Sequence, residues 1–185
     1  SRIQGGGSLG GPIIKDKLFF FGTYELNSRN EPQNVFLGGD AARAPASLNL
    51  SQYTGQFTSE FREHLGFGKL TYAKSERSTI DVSTTIRHET DFRGFGGQTS
   101  FQSSENLAIN VYTGVANWKY AGDRWLNEAQ VNGQYFQWNP TWTNGDLVGK
   151  NYFGLLRIGG KDSEQNFKQS RLSLRDDLTR SAVTF

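Results

Sequence analysis

Cysteine and methionine are both missing from the 185 residues, and histidine occurs only twice. Without cysteine there is neither a disulfide framework nor a thiolate metal site. The two imidazoles, His64 and His88, have no ligand partner at metal spacing along the chain and read as ordinary rim residues. No run approaches the roughly 20 consecutive apolar residues of a membrane helix, and the first four residues lack the apolar core of a signal peptide. Membrane barrels lack such runs as well, because residues facing lipid alternate with residues facing inward. Charge of one sign is also scarce in excess: 20 basic and 18 acidic side chains leave a formal net charge of +2. No basic run interleaves with aromatics, so a nucleic-acid groove is excluded. A helical period is missing too, and with 22 glycines the chain points to an all-β class.

What is present is alternation. Residues 5–25 contain two strand-like runs hinged on Ile14, Lys15, Asp16 and Lys17. After the hinge, Leu18, Phe20, Gly22 and Tyr24 fall on one face and Phe19, Phe21, Thr23 and Glu25 on the other. In 78–89, Ile80, Val82, Thr84 and Ile86 alternate with Asp81, Ser83, Thr85 and Arg87. Further strands are expected over 65–74, 105–121, 125–138 and 166–178. Within 105–121 the parity is ambiguous, since Leu107, Ile109, Val111 and Val115 oppose Tyr112, Gly114, Ala116, Trp118 and Tyr120, and a bulge near the middle is expected to switch faces. Connectors alternate in length. They are very short at 14–17, 75–77 and 122–124 and long at 29–63, 91–104 and 139–165, as on the two rims of a membrane barrel. A strand of about ten residues at ~3.3 Å each, tilted ~45°, spans roughly 23 Å, close to the apolar band of such a barrel. Trp118, Tyr120 and Trp125 bracket the turn at 122–124, while Tyr135, Trp138 and Trp142 cluster at the far end of the same hairpin, as two interfacial aromatic girdles would.

The GGP turn, the DK pair and the FF-FG-YE run of residues 10–25 resemble the start of the barrel in TonB-dependent outer-membrane receptors, in particular the Oar-like branch with an N-terminal carboxypeptidase-regulatory-like domain. ENLA at 105, WLNEA at 125, WNPT at 138, DLVGKNYFG at 146, RIGGKD at 157 and RLSLRDDLTR at 171 extend the resemblance over nearly the whole chain. It implies a partial, open, up-and-down antiparallel sheet of about seven strands from a 22-stranded plugged barrel in the cell outer membrane. Residues 1–185 would be the N-terminal part of the barrel domain, with 1–6 the junction from the plug. The implied partners are outer-membrane lipid, the protein's own plug, the TonB complex and an unknown solute taken up through the barrel; the TonB box, most of the plug and the closing strand are expected to lie outside this piece. In that reading Asp81, Arg87, Glu128, Arg171, Arg175 and Asp177 face the lumen.

Other motifs weigh less. Residues 5–10 satisfy G-x-G-x-x-G, but Pro12 and a hairpin follow where a dinucleotide site needs a helix. His88, Glu89, Thr90 and Asp91 could be drawn as an acid/base cluster, yet nothing positions a nucleophile. No cofactor and no enzymatic activity are expected. The rival architecture is a soluble or surface-attached β-sandwich binding a glycan or protein through its long loops, since a sandwich shows the same alternation. A purely structural barrel is the third class.

Overall fold

The computed structural model describes residues 1–161 and 164–181. Seven strands form one antiparallel sheet: β1 (Arg2–Ile14), β2 (Leu18–Val35), β3 (Gly55–Ser75), β4 (Ser78–Arg93), β5 (Glu105–Ala121), β6 (Trp125–Trp142) and β9 (Phe167–Arg180). Each pairs with the strand before it in this order, and the sheet stays open with β1 and β9 as its edges. Two short strands, β7 (Lys150–Tyr152) and β8 (Leu156–Ile158), form a separate hairpin in the last long link. The segment 1–6, expected as a junction, is already strand from Arg2 onward and pairs with the far half of β2.

Register carries the faces around the sheet. Leu70, Val82, Ala116, Val131 and Leu174 occupy successive strands of one register row, and Lys69, Ser83, Val115, Asn132 and Ser173 occupy the next. The first row belongs to an apolar face, the second to a largely polar one. β5 pairs without any register shift on either side, so the bulge expected there does not exist. Tyr112, Gly114, Ala116 and Trp118 keep to the apolar face, while Ile109, Val111 and Val115 lie on the polar one.

The apolar face is bare. Leu70, Val82, Ile86, Tyr112, Trp118, Val131, Leu172 and Leu174 are all exposed, and no second sheet lies over them among the described residues. Burying such a side chain is worth about 1.5–3 kcal/mol, so this face needs an apolar phase and the sandwich reading is corrected. The strands also outreach a bilayer. β3 has 21 residues, which at ~3.3 Å each and a ~45° tilt gives about 49 Å of height against an apolar band of ~25 Å. Its upper half therefore stands clear of the lipid, and there both faces are wet.

That extension corrects the first long link, expected at 29–63. β2 continues to Val35 and β3 begins at Gly55, so the connection is only 36–54. The other two run over 94–104 and 143–166, the latter including 162 and 163, which lie outside the described residues. All three links leave the same end of the sheet, as expected, and they bond to one another there. Phe36 donates its N–H to Gly97 O at 2.9 Å, Gly38 to Leu155 O at 2.9 Å, Ser100 to Arg157 O at 2.8 Å and Arg157 to Gln98 O at 2.8 Å.

The chain's hydrophobic core sits in this loop cap. Val35, Leu50, Leu156 and Ile158 are buried together, flanked by Leu37, Leu48, Tyr53, Phe57, Tyr152 and Leu155. Beside them Phe57 stacks on Phe101 at 4.7 Å between centroids, and Phe95 meets Phe101 edge-on at 5.2 Å. Two glycines permit the close approach. A Cβ at Gly38 would sit 1.9 Å from Gly154 O, and Gly159, at φ +77°, would place one 2.2 Å from Val148 O.

Two expectations follow. Val82→Arg or Val131→Arg should destabilise the whole barrel by about 2–4 kcal/mol in urea unfolding from micelles or bilayers, whereas Ser83→Arg and Asn132→Arg should cost much less. Gly38→Ala should overpack the cap by about 1–3 kcal/mol, read as faster protease cleavage within 36–54 while the sheet's circular dichroism is unchanged.

Candidate functional site

All six charged side chains singled out in the sequence stand on the polar face, in register positions that alternate with the apolar rows. Four of them come together near the short turns. Asp81, Asn117, Gln130 and Arg175 form one register row, and Lys119, Glu128 and Asp177 form the next. Lys69 Nζ reaches Asp81 at 2.9 Å, Lys119 Nζ reaches Glu128 at 2.9 Å and Arg175 Nε reaches Asp177 at 2.6 Å. Thr71 donates to Asp81 at 2.5 Å and Gln130 to Asn117 at 2.8 Å. The result is a charge-balanced grid around an open hollow of about 310 Å³.

Arg87 belongs to a second group, beneath the loop cap. Glu63 and Glu89 face each other directly across β3 and β4, a repulsive placement for like charges. Arg87 resolves it by donating Nε to Glu63 at 2.7 Å and Nη2 to Glu89. Further up, Arg93 Nε bonds Glu105 at 3.0 Å, and Lys161 reaches the other oxygen of Glu105 at 2.5 Å. Arg171 joins neither group; it falls opposite Gln134, between them. Glu63, Arg93 and Lys161 carry no site signal in the sequence; Glu105 enters it only through the ENLA motif, and Glu89 and Asp91 only through the acid/base cluster drawn over 88–91. The signal for Glu63 is the alternation itself, which continues upward from the strand expected over 65–74 into residues expected as link, while Glu89 already ends the strand expected over 78–89.

Glu105 is the first residue of β5, about 16 residues above the turn at 122–124, and so lies well above the apolar band. Burial alone would raise its carboxyl; the hydrogen bonds and charges of Lys161 and Arg93 outweigh burial and hold it below the usual range.

The aromatics divide. Trp118, Tyr120 and Trp125 stand on the apolar face at the short-turn end, Trp118 donating its indole N–H to Ser78 Oγ at 3.1 Å. Tyr135 is on that face at the other end, stacked on Tyr112 with centroids 6.0 Å apart, and Tyr24 shares its register row. Trp138 and Trp142 point to the opposite face, opposite Ile109 and Glu105 in the register, so they are not part of a lipid-side girdle. Parity decides this: both are even-numbered on a strand whose odd residues face lipid. Trp138 instead lines an open apolar hollow of about 380 Å³ with Phe136, Phe167, Gln165 and Asn166.

Residues 1–44 match a family described as an outer membrane beta barrel domain. The whole chain superposes on part of the outer membrane transporter YddB from Escherichia coli with a TM-score of 0.72, at 10% identity, covering 100% of this chain and 23% of that one. No curated protein matches the chain by sequence. At that identity the likeness shows the fold: an open, up-and-down segment of an outer-membrane barrel wall of the kind that transporter has. With the bare apolar face and the protruding loop cap, these findings place the sheet in the outer membrane, its apolar face against lipid.

Because the folded-state pKa of Glu105 is lowered, the stability it lends to the cap is complete above the ordinary glutamate range and is lost as the pH falls through the lowered value. Amide protection in 94–104, taken relative to the intrinsic exchange rate at each pH, should therefore fall as the pH drops below the ordinary glutamate range. Glu105→Gln should lower that protection already at neutral pH and remove its dependence on acid.

Proposed function

We propose that this chain is the N-terminal part of the barrel of a TonB-dependent receptor that takes up a scarce or large solute through a plugged lumen, a transporter rather than an enzyme. The observation that carries the reading is the coupling of a lipid-ready outer face to an inner face furnished with charge, under a cap of three interlocked loops. The resemblance of residues 10–25 and of the later motifs to TonB-dependent receptors supports the finer assignment, as does the fold shared with an outer membrane transporter. In this reading Asp81, Arg87, Glu128, Arg171, Arg175 and Asp177 face the lumen, where they meet the plug or line the solute path. The Oar-like branch and its N-terminal domain are part of the same proposal.

Photo-cross-linking in whole cells tests it. A photoreactive residue in place of Glu128 or Arg175 should cross-link to the plug of the same polypeptide, and one in place of Val82 or Val131 should capture lipid. Capture of lipid from positions 128 and 175, with no intramolecular product, would overturn the plugged-lumen reading.

A further inference from the structure

The two histidines, far apart in sequence, stand directly opposite each other across β3 and β4. Both side chains are exposed on the face that carries Leu70 and Val82, one register step beyond the row of Tyr24, Gly66, Ile86, Tyr112 and Tyr135. His64 and His88 lie about ten or eleven residues above their shared turn, so at ~3.3 Å per residue and a ~45° tilt they stand roughly 23–26 Å above it, at the top of the apolar band. The sequence reading, which found no partner for either, is thereby revised: the register supplies one.

The surroundings prepare both rings. Gln137 donates its amide to Asn166 Oδ1 at 3.1 Å, and Asn110 donates its own to Gln137 Oε1 at 3.3 Å. Asn110 Oδ1 is then left facing His88 Nδ1 at 2.6 Å. A carbonyl oxygen only accepts, so in this contact the ring donates from Nδ1, the tautomer that leaves the Nε2 lone pair free to ligate. His64 Nδ1 lies 2.6 Å from the Tyr24 hydroxyl, whose oxygen can accept in the same way. Anchoring one ring nitrogen to an oxygen while the other ligates is the outer-shell arrangement of metal-binding histidines. Directly opposed residues have Cβ atoms about 4.5–5.5 Å apart, close enough for two Nε2 atoms to share an ion at ~2.0–2.1 Å.

We propose that His64 and His88 form a two-imidazole chelate for a divalent first-row transition metal, Cu²⁺ or Zn²⁺, at the outer boundary of the membrane. An all-nitrogen pair selects such ions over Mg²⁺ and Ca²⁺, which take oxygen. No third His, Cys, Asp or Glu joins them among the described residues, so water completes the coordination. The bound ion would tie β3 to β4 where the strands leave the lipid.

The test uses the whole protein in detergent micelles, titrated with Cu²⁺ and followed by electron paramagnetic resonance, and with Zn²⁺ by calorimetry. Two equivalent nitrogen couplings and micromolar affinity are expected, with at least a tenfold loss in His64→Gln and in His88→Gln. Folding of each variant is checked by its heat-dependent gel shift. Asn110→Ala, which keeps both imidazoles, should weaken binding about tenfold. A single nitrogen coupling, or wild-type affinity in both histidine variants, would overturn the chelate. Should either histidine variant fail to fold, wild-type affinity in Asn110→Ala overturns it instead.

Discussion

An unbroken backbone ladder is the constraint on which everything else in this sheet depends. In hydrocarbon no water is available for an unpaired N–H or C=O, so a strand that crosses lipid must find every partner on its neighbours. The pairings of β4 with β5, β5 with β6 and β6 with β9 run without a single shift. The irregularities fall beside short turns, between Pro12 and Ile14 and between Ala73 and Ser75. A slip of one residue would exchange Val82 for Ser83 and Val131 for Asn132 across the whole row, placing polar groups in lipid and valines in water. Register and side-chain sorting therefore enforce each other.

Two solvents then divide the molecule along its height. Over the lower part of the strands the apolar phase is outside, and side chains that would form a core in a soluble protein are displayed to lipid. Above it the ordinary rule returns: Val35, Leu50, Leu156 and Ile158 are buried with one another, and buried serines tie the loops, Ser103 Oγ donating to Gly159 O at 2.7 Å. The close passage of Gly38 by Gly154 belongs to this second regime. The cap behaves as a small soluble domain assembled from three discontinuous segments, held by the rigid strand ends beneath it.

The same division explains which strands are legible in the sequence. β4 was plain, because one face meets lipid and the other does not. The upper halves of β2 and β3 read as loop, because where both faces are wet nothing requires alternation. β2 nevertheless keeps its register with β3 across Pro32, which falls opposite Thr58. The parity of β5 is obscured by Ile109 and Val111, which stand beside Trp138 and Phe136 as an apolar patch on the largely polar face. The mutual placement of the six charged residues was legible from period two; their division into a grid of four, a clamp at Arg87 and Arg171 between them needed the register.

The charges on the polar face do little to hold the sheet together. The side chains of Lys119, Glu128, Arg175 and Asp177 are each between 46% and 72% exposed, and ion pairs so open to water contribute about 0–1 kcal/mol apiece. Three cations and three anions in the grid also cancel at short range, leaving little field at a distance. What they secure is wetting. A face of paired charges and amides cannot be covered by lipid without losing its solvation, and the sheet can turn only its other face outward. Stability comes from the ladder, the lipid contact and the cap core; the charges on the polar face determine which way the wall faces.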